Sequence, residues 1–218
     1  MEVDAVIDPT PSSFYQAQFD FTDSDVAVTF TQNETTILCS LSGPTELPSS
    51  TRLNDKMLTT VVYTLENGSQ SSSTEINGII DAMVDKTKFP RSGLVINLHQ
   101  LTDNGSRLSV AINCASLALL DSAVQLEGLF LAVSVILNHD GTIFVDPTKD
   151  QEVNAKAVAV VVFKNSNGEL EPVGFLNRGC IDMNFYSKAV EETKKQASEL
   201  LAYFRRIMKE RLVSKNTD

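Results

Sequence analysis

Two rhythms of apolar and polar positions alternate along the chain. Phe19 to Phe21, Val26 to Phe30 and Thr35 to Leu41 are alternating or β-branched runs separated by polar turns, the last closed by "SGPTE". Such runs predict consecutive antiparallel strands. After a polar stretch from Pro48 to Asp55, Leu58 to Leu65 ("LTTVVYTL") predicts another. "ENGSQSSS", Glu66 to Ser73, is too polar to join a core and reads as a loop. The period then changes. Ile76, Ile79, Ile80 and Met83 share one face of a helix over Thr74 to Val84, with Thr74 as its cap and "KFPRSG" beyond its end.

Leu94 to Leu101 alternates again, and the "DNGSR" turn after it predicts a hairpin that returns through Leu108 to Ile112. Ala115 to Ser122 follows as a short helix with no polar face, and a helix that is apolar all round belongs in a core. Leu129 to Leu137 pairs with Thr142 to Val145 across "NHDG", and Ala155 to Phe163 pairs with Leu170 to Phe175. Between Asn184 and Leu212, Tyr186, Val190, Thr193, Ala197, Leu200, Leu201, Phe204 and Ile207 or Met208 trace one face of a long helix with a Lys-, Glu- and Arg-rich outer side. This order predicts an α+β fold of mixed and antiparallel sheets packed with helices, not a doubly wound parallel sheet.

Composition limits what such a fold does. A chain of 218 residues, 42% hydrophobic, predicts one domain over 1–218, with 1–18 as an N-terminal extension and 213–218 as a frayed tail. Lys+Arg 18 against Asp+Glu 28 gives a net charge of -10. That balance argues against RNA binding by the chain alone, because backbone binding depends on cations displacing counterions. Cys39, Cys114 and Cys180 lie in or beside apolar segments, which predicts buried free thiols and a reducing compartment. The acidic start "MEVDAVIDPTPSS" is unlike a secretory signal, so an intracellular chain is expected and the sequons at Asn33, Asn67 and Asn104 carry no weight. Gln125, Glu127 and Gly128 interrupt the longest apolar run, from Ala123 to Leu137, which excludes a helical span there.

Chemistry is sparse. No Gly-x-Ser-x-Gly elbow supports a hydrolase triad, and no Cys/His spacing supports zinc. No cofactor is expected. His99, within a strand, and His139, in the "NHDG" turn, are read as one packed and one exposed. Asp146, Asp150 and Glu152 form either a weak metal-binding cluster or a solvated acidic turn. Arg205, Arg206, Lys209, Arg211 and Lys215 either touch RNA or form the charged face of the last helix. "GSR", Gly105 to Arg107, offers glycine, a hydroxyl and a guanidinium in one turn, as an anion site does, and is equally compatible with a plain hairpin turn.

The run "INLHQLTDNGSRLSVAINCASLALLDSAVQLEGLFLAVSVIL" followed by "GTIFVDPTKDQE" resembles the RNase PH superfamily. The resemblance extends back through "VAVTFTQNETTILCSLSGPTE" and forward to the terminal helix, over about residues 20 to 212. It implies the RNase PH-like fold and marks Gly105, Ser106 and Arg107 as the phosphate-holding turn of active members. Those members also carry a second arginine near the place of Gly78, which this chain lacks, and paired aspartates. The first aspartate falls on Glu152, or else Asp150, and the second on Val158, which neither ligates magnesium nor transfers a proton.

The "VDPT" form is closest to the non-catalytic ring subunits of the eukaryotic RNA exosome. That implies a six-membered ring of RNase PH-like heterodimers, cap subunits with RNA-binding domains above it, and RNA threaded through the channel. Nuclear, nucleolar and cytoplasmic locations are implied as well. Apolar edge strands are expected to pair with neighbours. Ser106, Arg107, Lys86, Lys88 and Arg91 are the candidate RNA or phosphate contacts. The alternative is a phosphate-dependent 3′–5′ exoribonuclease, or a metal-dependent nuclease using Asp146, Asp150 and Glu152, active as a homodimer.

Overall fold

The computed structural model describes residues 14–20, 24–166 and 168–215. Strands β1 (Tyr15–Asp20), β2 (Val26–Gln32) and β3 (Thr35–Glu46) form an antiparallel meander. β4 (Leu58–Thr64), the two-residue β5 (Gln70–Ser71), α1 (Thr74–Met83) and β6 (Ser92–Thr102) follow. Because α1 carries the chain across the sheet, β6 runs parallel to β4, inserting between it and β3. The first sheet is therefore mixed, in the order β1-β2-β3-β6-β4-β5. Its alternation is visible in burial, with Val28, Phe30, Ile37, Cys39 and Leu41 turned into the core.

The second sheet is wholly antiparallel. β7 (Leu129–Leu137), β8 (Ile143–Val145), β9 (Ala157–Ser166) and β10 (Glu169–Gly179) stand in the order β10-β9-β7-β8. The two hairpins expected here are present. Between β8 and β9 lies a short helix that the hydrophobic pattern did not reveal, α3 (Lys149–Asn154). Its start was nevertheless written in Thr148-x-x-Gln151, since the Thr148 amide donates to Gln151 Oε1 at 2.9 Å.

The hairpin expected after "DNGSR" is replaced by a helix. Leu108 to Ile112 forms the first turns of α2 (Arg107–Asp121), and the whole segment from Ser109 to Leu119 is buried between the two sheets. With apolar neighbours on every side, the segment shows no amphipathic period, and its opening Leu-Ser-Val-Ala-Ile imitates strand alternation. Its few polar side chains each meet a backbone or hydroxyl group. Asn113 Nδ2 donates to the Ala132 carbonyl at 2.8 Å, and Asn113 Oδ1 accepts from the Ala132 amide at 2.7 Å. Ser116 Oγ donates to the Phe130 carbonyl at 2.7 Å, and the Ser109 and Ser134 hydroxyls share a bond of 2.8 Å. β8 pairs with β7 only over Val135 to Leu137, so α2 seals the part of that edge that β8 leaves open.

The closing helix, α4 (Met183–Lys215), buries Phe185, Ala189, Ala197, Leu200, Leu201 and Phe204 against both sheets. Phe204 meets Phe30 edge-on with ring centroids 5.8 Å apart, tying the last helix to the first sheet. Since α4 runs to Lys215, residues 213–215 are helical and not frayed, and 216–218 lie outside the described residues. At the other end, residues 15–18 belong to β1 and not to an extension, while 1–13 and Phe21 are outside the described residues. Two smaller expectations also change. His99 and His139 are both exposed, because His99 faces outward from β6. Cys39 and Cys114 are buried, but Cys180 is exposed. No helix among the described residues is long and apolar enough to cross a membrane.

Candidate functional site

The "DNGSR" and "VDPTK" turns meet because Gly105 lacks a side chain. Its φ is +106°, and a Cβ there would crowd the Pro147 carbonyl and lie 2.6 Å from Lys149 N. Backbone and side chains fasten the junction. Lys149 N donates to the Asn104 carbonyl at 2.9 Å, and Lys149 Nζ pairs with Asp103 at 2.9 Å. From β3, the Thr35 hydroxyl donates to the Gly105 carbonyl at 2.7 Å and accepts from Asn104 N at 3.0 Å.

Ser106 occupies this turn differently from the expectation. It has a positive φ of 55° and is 5% exposed. Its amide donates to Glu152 Oε1 at 2.7 Å and its hydroxyl to the Pro147 carbonyl at 3.1 Å. The Gly105 amide is likewise held by Asp103 Oδ1 at 3.2 Å. Every N–H from Asn104 to Ser106 thus has an acceptor within the protein. Ser106 serves as a structural joint, whereas Arg107 is exposed and has no hydrogen-bond or ion-pair partner among the described residues.

Arg107 faces a cleft of about 550 Å³ between the β4–β5 edge, α1 and the second sheet. Glu75, Ser134, Glu152, Val158 and Arg178 share its wall. Register explains the last pair: Val158 on β9 lies directly opposite Arg178 on β10. The position to which the resemblance assigned a second carboxylate in active members holds Val158, with Arg178 beside it. The Arg178 guanidinium, like that of Arg107, has no hydrogen-bond or ion-pair partner among the described residues. A second cavity, about 430 Å³ and lined by Leu65, Glu66, Asn67 and Gln100, shares Asp103, Arg107 and Lys149 with the first.

Three groups here have displaced proton affinities, the Lys149 ammonium being pushed up by its bond to Asp103. Burial pushes the Glu152 carboxyl up; the Ser106 N–H opposes this, Asp103 reinforces it, and Arg107 and Arg178 oppose it. The Tyr63 phenol is pushed up to about 12, chiefly by burial, with Arg107 pulling it down and Asp103 pushing it up. Magnesium, which the family resemblance suggests, does not fit. Glu152 Oε1 is already bonded to Ser106 N, Val158 offers no donor, and the Arg178 guanidinium opposes a cation beside it.

The remaining candidates lie apart from the cleft walls. Lys86 bonds Asp81 at 3.3 Å, Lys88 sits beside Asp85 in a short 3-10 helix (Lys86–Lys88), and the Arg91 amide donates to the Leu53 carbonyl at 3.0 Å. Asp150 is exposed on α3, and Asp146 sits at a positive φ of 52° with its amide bonded to the Ser134 carbonyl. Among the described residues, Asp146, Asp150 and Glu152 form no metal-holding group. Arg211, one of the C-terminal cations, pairs with Asp121 at 3.4 Å and lies over the Phe19 ring. Sequence reasoning missed Glu75, Lys149 and Arg178. Lys149 was signalled by adjacency to "DPT", but Arg178 becomes visible only through the β9–β10 register.

Residues 18–125 match the family model described as "3' exoribonuclease family, domain 1". The Exosome complex component RRP46 homolog of Caenorhabditis elegans is 28% identical over 195 residues, covering 87% of this chain and 90% of the relative. The Exosome complex component Rrp41 of Archaeoglobus fulgidus is 31% identical over 139 residues, 61% of this chain and 53% of that protein. Among solved structures, rice (Oryza sativa) Rrp46 superposes with a TM-score of 0.85 at 19% identity, covering 94% of this chain and 98% of the rice chain. A chain of an archaeal exosome core gives a TM-score of 0.71 at 15% identity, over 88% of this chain and 86% of its own.

Proposed function

Since the chain belongs to the RNase PH family, we propose that it is a ring subunit of the RNA exosome core that supports 3′–5′ RNA processing and degradation without cleaving RNA itself. The observation that carries the ring role is the nearly full-length correspondence with a relative named as an exosome component. Its partners are other RNase PH-like chains, with cap subunits above them and RNA in the channel. The net charge of -10 supports a role that depends on partners, since RNA backbone binding needs a basic surface that the neighbours would supply. Nuclear, nucleolar and cytoplasmic locations are part of the same proposal.

The cleft supports the non-catalytic half of this reading. Phosphorolysis needs a held phosphate, a cation set and a carboxylate pair in one place. Here the turn amides are internally bonded, and Val158 faces Arg178. Cooperating catalytic groups fail together, so these departures remove orders of magnitude of rate. The observation that favours a phosphate-dependent exoribonuclease instead is the Glu152 carboxyl, whose proton affinity is raised by burial in a cleft that also holds two guanidinium groups.

One purification separates the two. Recovered from gently lysed cells, the tagged chain should travel in a complex of about nine or more subunits that includes other RNase PH-like chains. Recovery only as a monomer or homodimer, with phosphate-dependent release of nucleoside diphosphates from RNA, would establish the exoribonuclease.

A further inference from the structure

Gln100 is a buried amide with half of its hydrogen bonding undone. It lies on β6 at 6% exposure, and its Oε1 accepts from the Tyr63 hydroxyl at 3.1 Å. Its Nε2, which carries two N–H donors, has no partner among the described residues. Buried donors are almost always satisfied, so an unsatisfied one in a cavity wall marks a place for an acceptor. That wall belongs to the second cavity, of about 430 Å³, where Gln100 is joined by Leu65, Glu66 and Asn67 from the turn between β4 and β5. Asn67 is arranged in the same way. Its Oδ1 accepts from Ser69 N at 3.0 Å and from the Ser69 hydroxyl at 2.7 Å, which leaves its Nδ2 without a partner among the described residues.

The Glu66 carboxylate has no hydrogen-bond or ion-pair partner among the described residues and supplies an acceptor. The cavity therefore offers two amide donors, one carboxylate acceptor and the apolar Leu65. Uracil asks for that set, with two ring carbonyls that accept, one N3–H that donates and a flat ring face. Adenine has no carbonyl and sets an amino donor against the amides. We propose that the second cavity is a nucleobase pocket that takes uracil from an RNA strand, with Gln100 and Asn67 donating to its carbonyls and Glu66 accepting from its N3–H. Arg107 and Lys149 border the same cavity, and cations beside a base pocket suit a strand that carries phosphates better than they suit a peptide. The inference deepens the proposed function and rests on it, because RNA has to pass this chain for the pocket to be used.

Titration of the full-length chain with the free nucleosides uridine and adenosine, followed through the side-chain amide resonances of Gln100 and Asn67, tests this without phosphate and without the ring. Uridine should move both resonances and bind about 10-fold more tightly than adenosine, the effect of one mismatched buried donor. Gln100→Glu keeps the acceptor for the Tyr63 hydroxyl and removes the N–H pair. Asn67→Asp keeps the acceptor for Ser69 in an exposed turn, which guards against a folding defect. Each variant should bring the two nucleosides to within about twofold of each other. Because both nucleosides are neutral, the added charge does not repel them. The assignment is overturned if uridine leaves the resonances unmoved, if adenosine binds as tightly, or if the preference survives in either variant. It is also overturned if N-methylacetamide, a peptide group without a base, displaces uridine at equal concentration. Co-purification of the unmodified chain with ring partners is read separately, so the pocket and the ring reading fail independently.

Discussion

Gly105 lets two distant turns share one point. Gly105→Ala adds a methyl group against the Pro147 carbonyl and Lys149 N, at a φ that side chains disfavour. Overpacking and backbone strain together should destabilise the protein by roughly 2–4 kcal/mol. Urea unfolding would show this as a lower midpoint at unchanged slope, and a loss below about 1 kcal/mol would mean that the turns are not pinned there. Glu152 gives a second test. Its carboxyl is raised by burial, so the folded state holds more protons than the unfolded one between the ordinary carboxylate range and the raised value. Its contribution to stability therefore declines as pH rises through that window. Relative to the parent, Glu152→Gln should be more stable at pH 8, and the difference should shrink as the pH is lowered through the window. Melting curves across pH 4 to 8 would reveal the shift, and a difference flat with pH would contradict it.

α2 is held to β7 by side chains that stand in for a missing strand. Asn113→Leu removes the only partners described for the Ala132 amide and carbonyl on that edge. Leaving two buried backbone groups unsatisfied should destabilise the protein by about 2–5 kcal/mol, measurable by equilibrium unfolding; a loss near zero would show that the edge has another partner. The same helix marks where sequence reading succeeded and where it failed. α1 and α4 were legible because each buries one stripe and leaves a polar face, and the hairpins of the second sheet were legible from their turns. Residues 108–112 were misread because burial on all sides erases the period that distinguishes helix from strand. The cleft was half legible. Arg107, Glu152 and Val158 fall in motifs, whereas Arg178 enters by cross-strand register and Ser106 loses its assigned role through bonds to residues some forty positions away.

The acidic balance of the whole molecule bears on its solitary behaviour. With a net charge of -10, the isolated chain should bind single-stranded RNA only weakly at physiological salt, with dissociation constants above roughly 10⁻⁴ M. Fluorescence anisotropy would detect tighter binding, which would reveal a local basic track strong enough to override that charge. A different consequence follows from the helix buried between the sheets. From α2, Asn113 and Ser116 donate to the Ala132 and Phe130 carbonyls and Ser109 shares a bond with Ser134, all three partners lying beyond residue 125. A nascent chain released only to residue 125 has an apolar helix and nothing to cover one side of it. Such a fragment should bind the dye ANS and leave its α2 amides open to hydrogen exchange, while the full chain unfolds in one step. Until synthesis delivers β7, one side of α2 therefore stays uncovered, and the half-made protein is expected to be a substrate for chaperones.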